Sequence, residues 1–340
     1  MTGRYPPVLA GLIVLVLAVA TLGIAVGPVS IPPGQVWAIL LHRVDPGLAG
    51  VNWPPVRDTI VVDVRLPRVL LGGVVGAGLA VCGMALQALV RNPLADPALL
   101  GVSSGATVGA VLVVVCGVTA LGQYSLSGAA FLGGLVALVA VYSLARSGGR
   151  MTTVRLILAG VATAQVLSAV AGFLIVTSDR PEKADAALRW MMGGLGGTGW
   201  STLWLPAAAV ALGTVALVGT ARSLNLLLAG EEAASAMGLE VHRFRSALFV
   251  LCALLTGVIV AVSGSIGFVG LMMPHITRLA VGADHRRALP AAALLGAAFL
   301  IVADLAARMV ITPEEIPVGI VTAVVGGPVF LWLMYRKGLT

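Results

Sequence analysis

Eight stretches of this chain run without a single Asp, Glu, Lys or Arg, and their lengths dictate where the backbone can go. They are Tyr5–His42 (38 residues), Val69–Val90 (22), Pro97–Ala145 (49), Leu156–Ser178 (23), Trp190–Ala221 (32), Ser246–Thr277 (32), Ala288–Ala303 (16) and Ile316–Tyr335 (20). A membrane-spanning helix takes about 20 apolar residues, within roughly 17–25. The 49-residue stretch therefore holds two spans, turning near 117–127. The stretch 246–277 reads as two shorter spans broken around 263–267. The first stretch holds one, because Pro28, Pro32, Pro33 and Gly34 interrupt its second half. Trp190–Ala221 holds one after a Gly-rich lead, and the 16-residue stretch becomes a span if Asp304 lies within it. The expectation is an all-α membrane protein of ten transmembrane helices, a single ten-span domain over residues 1–340.

Composition agrees: 59% of residues are hydrophobic and 10% charged, where soluble domains carry about a quarter charged. A water-soluble enzyme is excluded. Cys82, Cys116 and Cys252 lie in apolar runs and read as buried hydrophobes. The formal charge of +7 is scattered singly, which argues against nucleic acid and for membrane loops. With ten spans, 13 of the 21 basic residues fall on the side of the two termini, which places both termini in the cytoplasm and the chain in the cytoplasmic (inner) membrane. The apolar core Val8–Val26 exceeds the 7–15 residues of a signal peptide and is kept as span one.

An internal echo supports two halves. Gly76-Ala77-Gly78-Leu79-Ala80-Val81-Cys82-Gly83 matches Gly257-Val258-Ile259-Val260-Ala261-Val262-Ser263-Gly264, with Pro93 and Gly101 matching Pro274 and Gly282 at the same offset of 181. The copies fall on spans two and seven, so the halves, spans 2–5 and 7–10, run in opposite directions. Inverted repeats of this kind recur in transporters, with the pathway at the repeat interface.

Three longer patterns are more specific. The first is Arg65-Leu66-Pro67-Arg68, Gln87 and Arg91-Asn92-Pro93-Leu94-Ala95-Asp96-Pro97 with Leu100-Gly101. The second is Ile266-Gly267-Phe268-Val269-Gly270-Leu271 with Pro274-His275, Arg278 and Asp284-His285-Arg286. The third is Ile316-Pro317-Val318-Gly319 with Thr322-Ala323 and Gly327-Pro328-Val329-Phe330. Together they resemble the permease subunits of type II ABC importers, the FecCD-like family of iron-siderophore, haem and cobalamin uptake. The resemblance implies a ten-helix permease that pairs with a second copy or a paralogue, binds two cytosolic ABC ATPase subunits and receives substrate from an extracytoplasmic binding protein. ATP and Mg would sit on the partner, because no Gly-x-x-x-x-Gly-Lys-Ser/Thr occurs here.

The loop 222–245 holds two short apolar-faced helices, marked by Leu224, Leu227 and Leu228, then by Ala233, Ala236 and Met237, with Gly238 as a C-cap. Such faces outside a bilayer want a partner groove, and Glu231 and Glu232 would be repelled by anionic lipid. The resemblance implies that this loop, including Ala234, couples to the ATPase; a loop packed on the membrane surface is the plainer alternative. By the same resemblance Arg65, Arg68 and Arg308 dock the binding protein, against the plainer reading of lipid snorkelling. Asp304 and Arg308, four apart, also read as an ion pair.

Small residues recur at spacing four: Gly160, Ala164, Ser168 and Gly172 on span five, and Gly319, Ala323 and Gly327 on span ten. Close helix packing is their ordinary use; the resemblance implies that these spans, with Thr322, wall the pathway. It also makes Thr152 and Thr153 an inner gate, where N-capping is the plainer role. Gln87, Asn92 and Gln165 are expected to bond between helices. His275 has no companion ligands at metal spacing, and the span interiors offer no catalytic constellation, so no metal site and no enzyme is read. The expected activity is ATP-driven import of an iron-siderophore chelate by alternating access, with haem or cobalamin as alternatives, or an ion-coupled secondary carrier from another class.

Overall fold

The computed structural model describes residues 5–48, 50–118, 120, 122–146, 152–311 and 314–337, so Arg4 and Arg150 of the charge count lie outside the described residues. Every regular element among them is helical. The order begins with α1 (Tyr5–Ala25), α2 (Pro33–Val44) and α3 (Pro55–Thr59), and a π-helical turn at Ile60–Arg65 runs into α4 (Leu66–Val90). Then come α5 (Val102–Cys116), α6 (Ser125–Arg146), α7 (Thr153–Val176), α8 (Pro181–Met191) and α9 (Trp200–Gly219). The chain continues through α10 (Ala221–Leu228), α11 (Glu231–Ala236), α12 (Val241–Ser263), α13 (Val269–Val281), α14 (His285–Met309) and α15 (Val318–Lys337).

Among the described residues, seven helical units are long and apolar enough to cross a membrane: α1, the continuous run Pro55–Val90, α6, α7, α9, α12 and α14. Three shorter apolar helices, α5, α13 and the apolar part of α15, stand at the sequence positions of expected spans three, eight and ten. Asp304 does lie inside its helix, and the break between α12 and α13 falls at 264–268 as the glycines suggested. At 1.5 Å per residue, α13 rises only about 20 Å against a hydrocarbon core of about 30 Å. The 264–268 loop that precedes it is buried or half-buried throughout.

Helix α4 is the hub: 78% of its apolar window is buried, against 17% for α7. It packs on α9, α12, α13 and α14. Two of these crossings are backbone on backbone. A Cβ added to Gly76 would stand 2.2 Å from the Gly296 carbonyl oxygen on α14, and one added to Gly83 would stand 1.9 Å from that of Gly270 on α13. Small residues allow this approach, and dispersion between the helices replaces the hydrophobic effect that lipid cannot supply. Helices α5 and α6 cross the same way through Gly105 and Gly133.

The Gly/Pro echo does not continue as one register. Gly83 lies well inside α4 whereas Gly264 ends α12, and Pro93 lies in the α4–α5 connection whereas Pro274 lies inside α13. The α4–α5 connection takes 91–101 and the α12–α13 connection only 264–268, so the fixed offset of 181 ends at the helix termini.

Contacts fix which helix ends lie together. The Arg287 guanidinium at the start of α14 sits 5.8 Å from the Tyr5 ring centroid at the start of α1. The far end of α1 meets the far end of α14, where the Arg308 Nη2 donates to the Gly23 carbonyl at 3.0 Å. Helix α15 starts at that far end, with Gly319 against the Met192 carbonyl, and runs back. Both described chain ends therefore share the end that carries α10 and α11. Cys116 is exposed at the end of α5, unlike the buried Cys82 and Cys252, because α5 faces outward there.

Candidate functional site

Helices α10 and α11 form a bent hairpin across one end of the bundle. Its apolar stripe divides differently from the sequence expectation. Leu224 and Leu227 are 0% and 1% exposed and belong to the central apolar cluster, and Ala234 is buried as well. Periodicity correctly placed Leu224 and Leu227 on one face, but that face packs on α4 and α14. The surface left for a partner is Leu228, Glu232, Ser235, Ala236, Met237 and Gly238, with Ala233 half-buried. Beside it lies a shallow cleft of about 540 Å³ lined by residues including Glu232, Ser235, Ala236 and His242. Gly238 holds φ 84° just past α11, and its N–H donates to the Ser235 carbonyl at 2.9 Å, a left-handed helix end suited to glycine.

Two polar clasps tie this hairpin to the bundle. Asn225 of α10 donates from Nδ2 to Asp284 Oδ1 at 2.7 Å, and its Oδ1 accepts the His285 backbone N–H at 3.0 Å. The Asn225 amide holds the Asp284 carboxyl below the usual carboxylate range. On the other side, Glu231 at the start of α11 pairs with Arg245 of α12. The same guanidinium donates from Nη2 to Thr153 Oγ1 at 2.7 Å, at the first residue of α7.

Thr152 caps α7, its Oγ1 accepting from the Arg155 N–H at 3.4 Å. Thr153 is held sideways by Arg245, so the two adjacent threonines have different partners. Along α7, Ala162, Gln165, Ser168 and Ala169 are exposed and Ala164 is half-buried, whereas Gly160 is buried under Gly101. On α15, Ala323 is exposed. Thr322 is 0% exposed and its hydroxyl donates to the Gly319 carbonyl at 3.1 Å. Gly319 presses on the Met192 carbonyl. The small-residue ridges thus split: Gly160, Gly319 and Thr322 pack helices together, while Ser168 and Ala323 stand on faces that none of the described residues covers. Gln165 shares that open face instead of bonding between helices.

The opposite end carries the arginines. Arg65 is 6% exposed. Its Nη1 donates to the carbonyls of Ile24 at 2.6 Å and Ala25 at 3.2 Å, and Nη2 donates to that of Val29. It satisfies carbonyls at the end of α1 and just beyond it, which a helix leaves without internal partners. Arg68 places Nε and Nη2 on Asp304 and also reaches Glu315 at 2.9 Å. Arg308 stands 3.1 Å from Asp304 and is buried. The i,i+4 pair exists, but Asp304 is shared with Arg68. Glu315, half in solvent, lies 247 positions from Arg68, and no local pattern singles it out.

Back towards the hairpin end, Gln87 in the last turn of α4 joins that helix to α13. Its Nε2 lies 3.3 Å from the carbonyls of Gly270 and Leu271, and its Oε1 accepts from Arg278. Asn92 instead turns its own loop, its Oδ1 accepting the Leu94 N–H at 2.9 Å. Neither Asn225 nor Arg245 sits in a recognisable pattern; their partners are too far away in sequence.

Comparison with known proteins places this geometry. The model of the FecCD transport family matches residues 13–336. The hemin transport system permease protein HmuU of Yersinia pestis is 41% identical over 343 residues, covering 99% of this chain and 98% of that one. The cobalamin import system permease protein BtuC of Halobacterium salinarum is 41% identical over 326 residues, covering 91% of this chain and 86% of that one. A solved ABC transporter assigned to the metal-chelate type, in an inward-facing conformation, superposes with a TM-score of 0.85 at 33% identity, covering 98% of this chain and all of that one. With seven long apolar helices, an outlying helical hairpin and a family match over nearly its whole length, this chain belongs to the FecCD transport family and is a permease of the type II ABC importers.

Proposed function

We propose that this permease imports a ferric siderophore chelate across the cytoplasmic membrane, driven by ATP hydrolysis on two separate ATPase subunits. The observation that carries the pathway is the open face of α7. A helix only 17% buried within its own chain, presenting Gln165 and Ser168 outward, is poorly matched to lipid. A second permease copy or paralogue facing α7 and α15 would convert those faces into the wall of a central passage. The exposed edge of the α10–α11 hairpin, from Leu228 to Gly238, supplies the ATPase contact, with both termini on that cytoplasmic side.

At the other end we assign binding-protein docking to the rim around Arg68 and Glu315. Arg65 and Arg308 support that rim from beneath, since their guanidiniums are already spent on carbonyls and on Asp304. A ferric chelate is favoured by the structural fit to the metal-chelate transporter at 33% identity; haem and cobalamin are the alternatives carried by relatives at 41% identity. Family membership displaces the ion-coupled carrier.

The test is uptake into proteoliposomes holding the permease with its ATPase subunits and binding protein. Radiolabelled iron in a hydroxamate or catecholate chelate should accumulate only with ATP. Accumulation of haem or cobalamin in its place would reassign the cargo. ATP-independent accumulation by the permease alone would overturn the mechanism.

A further inference from the structure

The Arg245 guanidinium is 4% exposed and lies where three helices meet: on α12, bonded to Glu231 at the first turn of α11, and bonded to Thr153 at the first turn of α7. Thr153 is 92 residues away in sequence and Glu231 is 14. This guanidinium joins the hairpin to the helix whose open face carries Ser168. The second clasp, Asn225 to Asp284 and His285, ties α10 to α14, which is locked to α4 by the Gly76–Gly296 crossing. The hairpin therefore has one anchor on the rigid hub and one on the sparsely packed α7.

We propose that Arg245 is a positioning residue of the transport cycle: it transmits displacement of α11, set by the ATPase, to the start of α7 and hence to the pathway wall. The proposal rests on the transport reading above and adds the link between its two ends. The chemistry suits the task. A guanidinium has a planar fork of donors that holds two acceptors at a fixed angle, which a flexible ammonium does not. The Arg245 side of this contact is buried, so the pair is screened less than one between two exposed side chains. Glu231 itself is 51% exposed, so its carboxylate senses whatever covers α11 while its partner stays inside. Arg91, which ends α4 in a left-handed conformation, adds a second positive charge whose repulsion Arg245 feels. Loss of Glu231 would leave Arg245 without its acid in that field.

The experiment uses the assembled permease–ATPase complex in nanodiscs, with Ser168→Cys as the reporter and a water-soluble maleimide as the probe. Labelling rates are compared without nucleotide and after trapping with ATP and vanadate. In the otherwise native complex the two rates should differ, and their equality would overturn the alternating-access reading itself. With Arg245→Gln or Arg245→Lys added, the ratio between states should collapse at least fivefold toward one while the ATPase still co-purifies and hydrolyses ATP. Arg245→Lys keeps the buried charge but loses the fork that holds two acceptors, and keeps the test readable if Arg245→Gln does not assemble. Either variant that assembles and keeps the native ratio overturns the link.

Discussion

Arg68 and Asp304, 236 positions apart, face each other at one end of the α4–α14 pair with two guanidinium nitrogens at 2.9 and 3.1 Å from one carboxylate. Asp304 is 2% exposed and serves Arg308 as well. One buried and one half-buried cation around one buried anion make the acid indispensable. Removing one partner of a buried pair typically costs about 3–5 kcal/mol, because the charge left behind is uncompensated. Asp304→Ala should therefore lower the unfolding midpoint in detergent strongly, whereas Glu315→Ala, on the wet side of Arg68, should cost about 1 kcal/mol or less. Equal, small losses would show the pair to be a bystander.

Arg65 permits a sharper separation of roles. If it acts from beneath the rim, Arg65→Ala should destabilise the permease in the absence of any binding protein, since it orphans the carbonyls of Ile24, Ala25 and Val29. Thermal unfolding of the permease alone checks this. Native stability combined with weakened, salt-sensitive binding-protein capture would return Arg65 to the docking surface.

The hairpin should divide cleanly by side. Met237→Glu and Leu228→Glu alter exposed positions, so folding should survive and ATPase co-purification should fall at least tenfold. Leu227→Glu places a carboxylate in the central apolar cluster and should abolish folded protein, as burial of an unpaired charge costs several kcal/mol. Detergent-solution monodispersity and pull-down distinguish the two. Stable, ATPase-free Leu227→Glu would place that face outward after all.

Accessibility gives the fourth expectation. Cysteines at Ser168 and Ala323 should react with a hydrophilic maleimide in the nucleotide-free complex, and a cysteine at Thr322 should stay inert in every state. Tryptophan at Ser168 or Ala323 should block uptake while ATP hydrolysis persists. Rapid labelling of Thr322→Cys would mean that α15 rotates substantially.

Much of this architecture was legible because hydrocarbon punishes charge: the charge-free stretches alone located the apolar helices, and Gly264–Gly267 located the break after α12. What escaped was direction. A stripe such as Leu224–Leu227–Leu228 tells which residues share a face, but not whether that face meets its own bundle or a partner. The same holds for Gly319 and Ser168, one jammed against a carbonyl and the other open, from ridges of identical spacing. Helices α2 and α8 escaped as well, because neither spans and each starts at a proline beside polar residues. The clasps at Asn225 and Arg245 are long-range pairs between single polar residues, and no local pattern announces such a pair.

The crossings at Gly76–Gly296 and Gly83–Gly270 have a mechanical consequence. Packed helices ordinarily slide by letting interlocked side chains hop between rotamers, each hop relieving a small part of the strain. At these two points backbone meets backbone, so little can give way, and a slip drives a carbonyl into the facing glycine. The trio α4, α13 and α14 is thus a chassis without gears, and whatever shape change this subunit undergoes must take place around it.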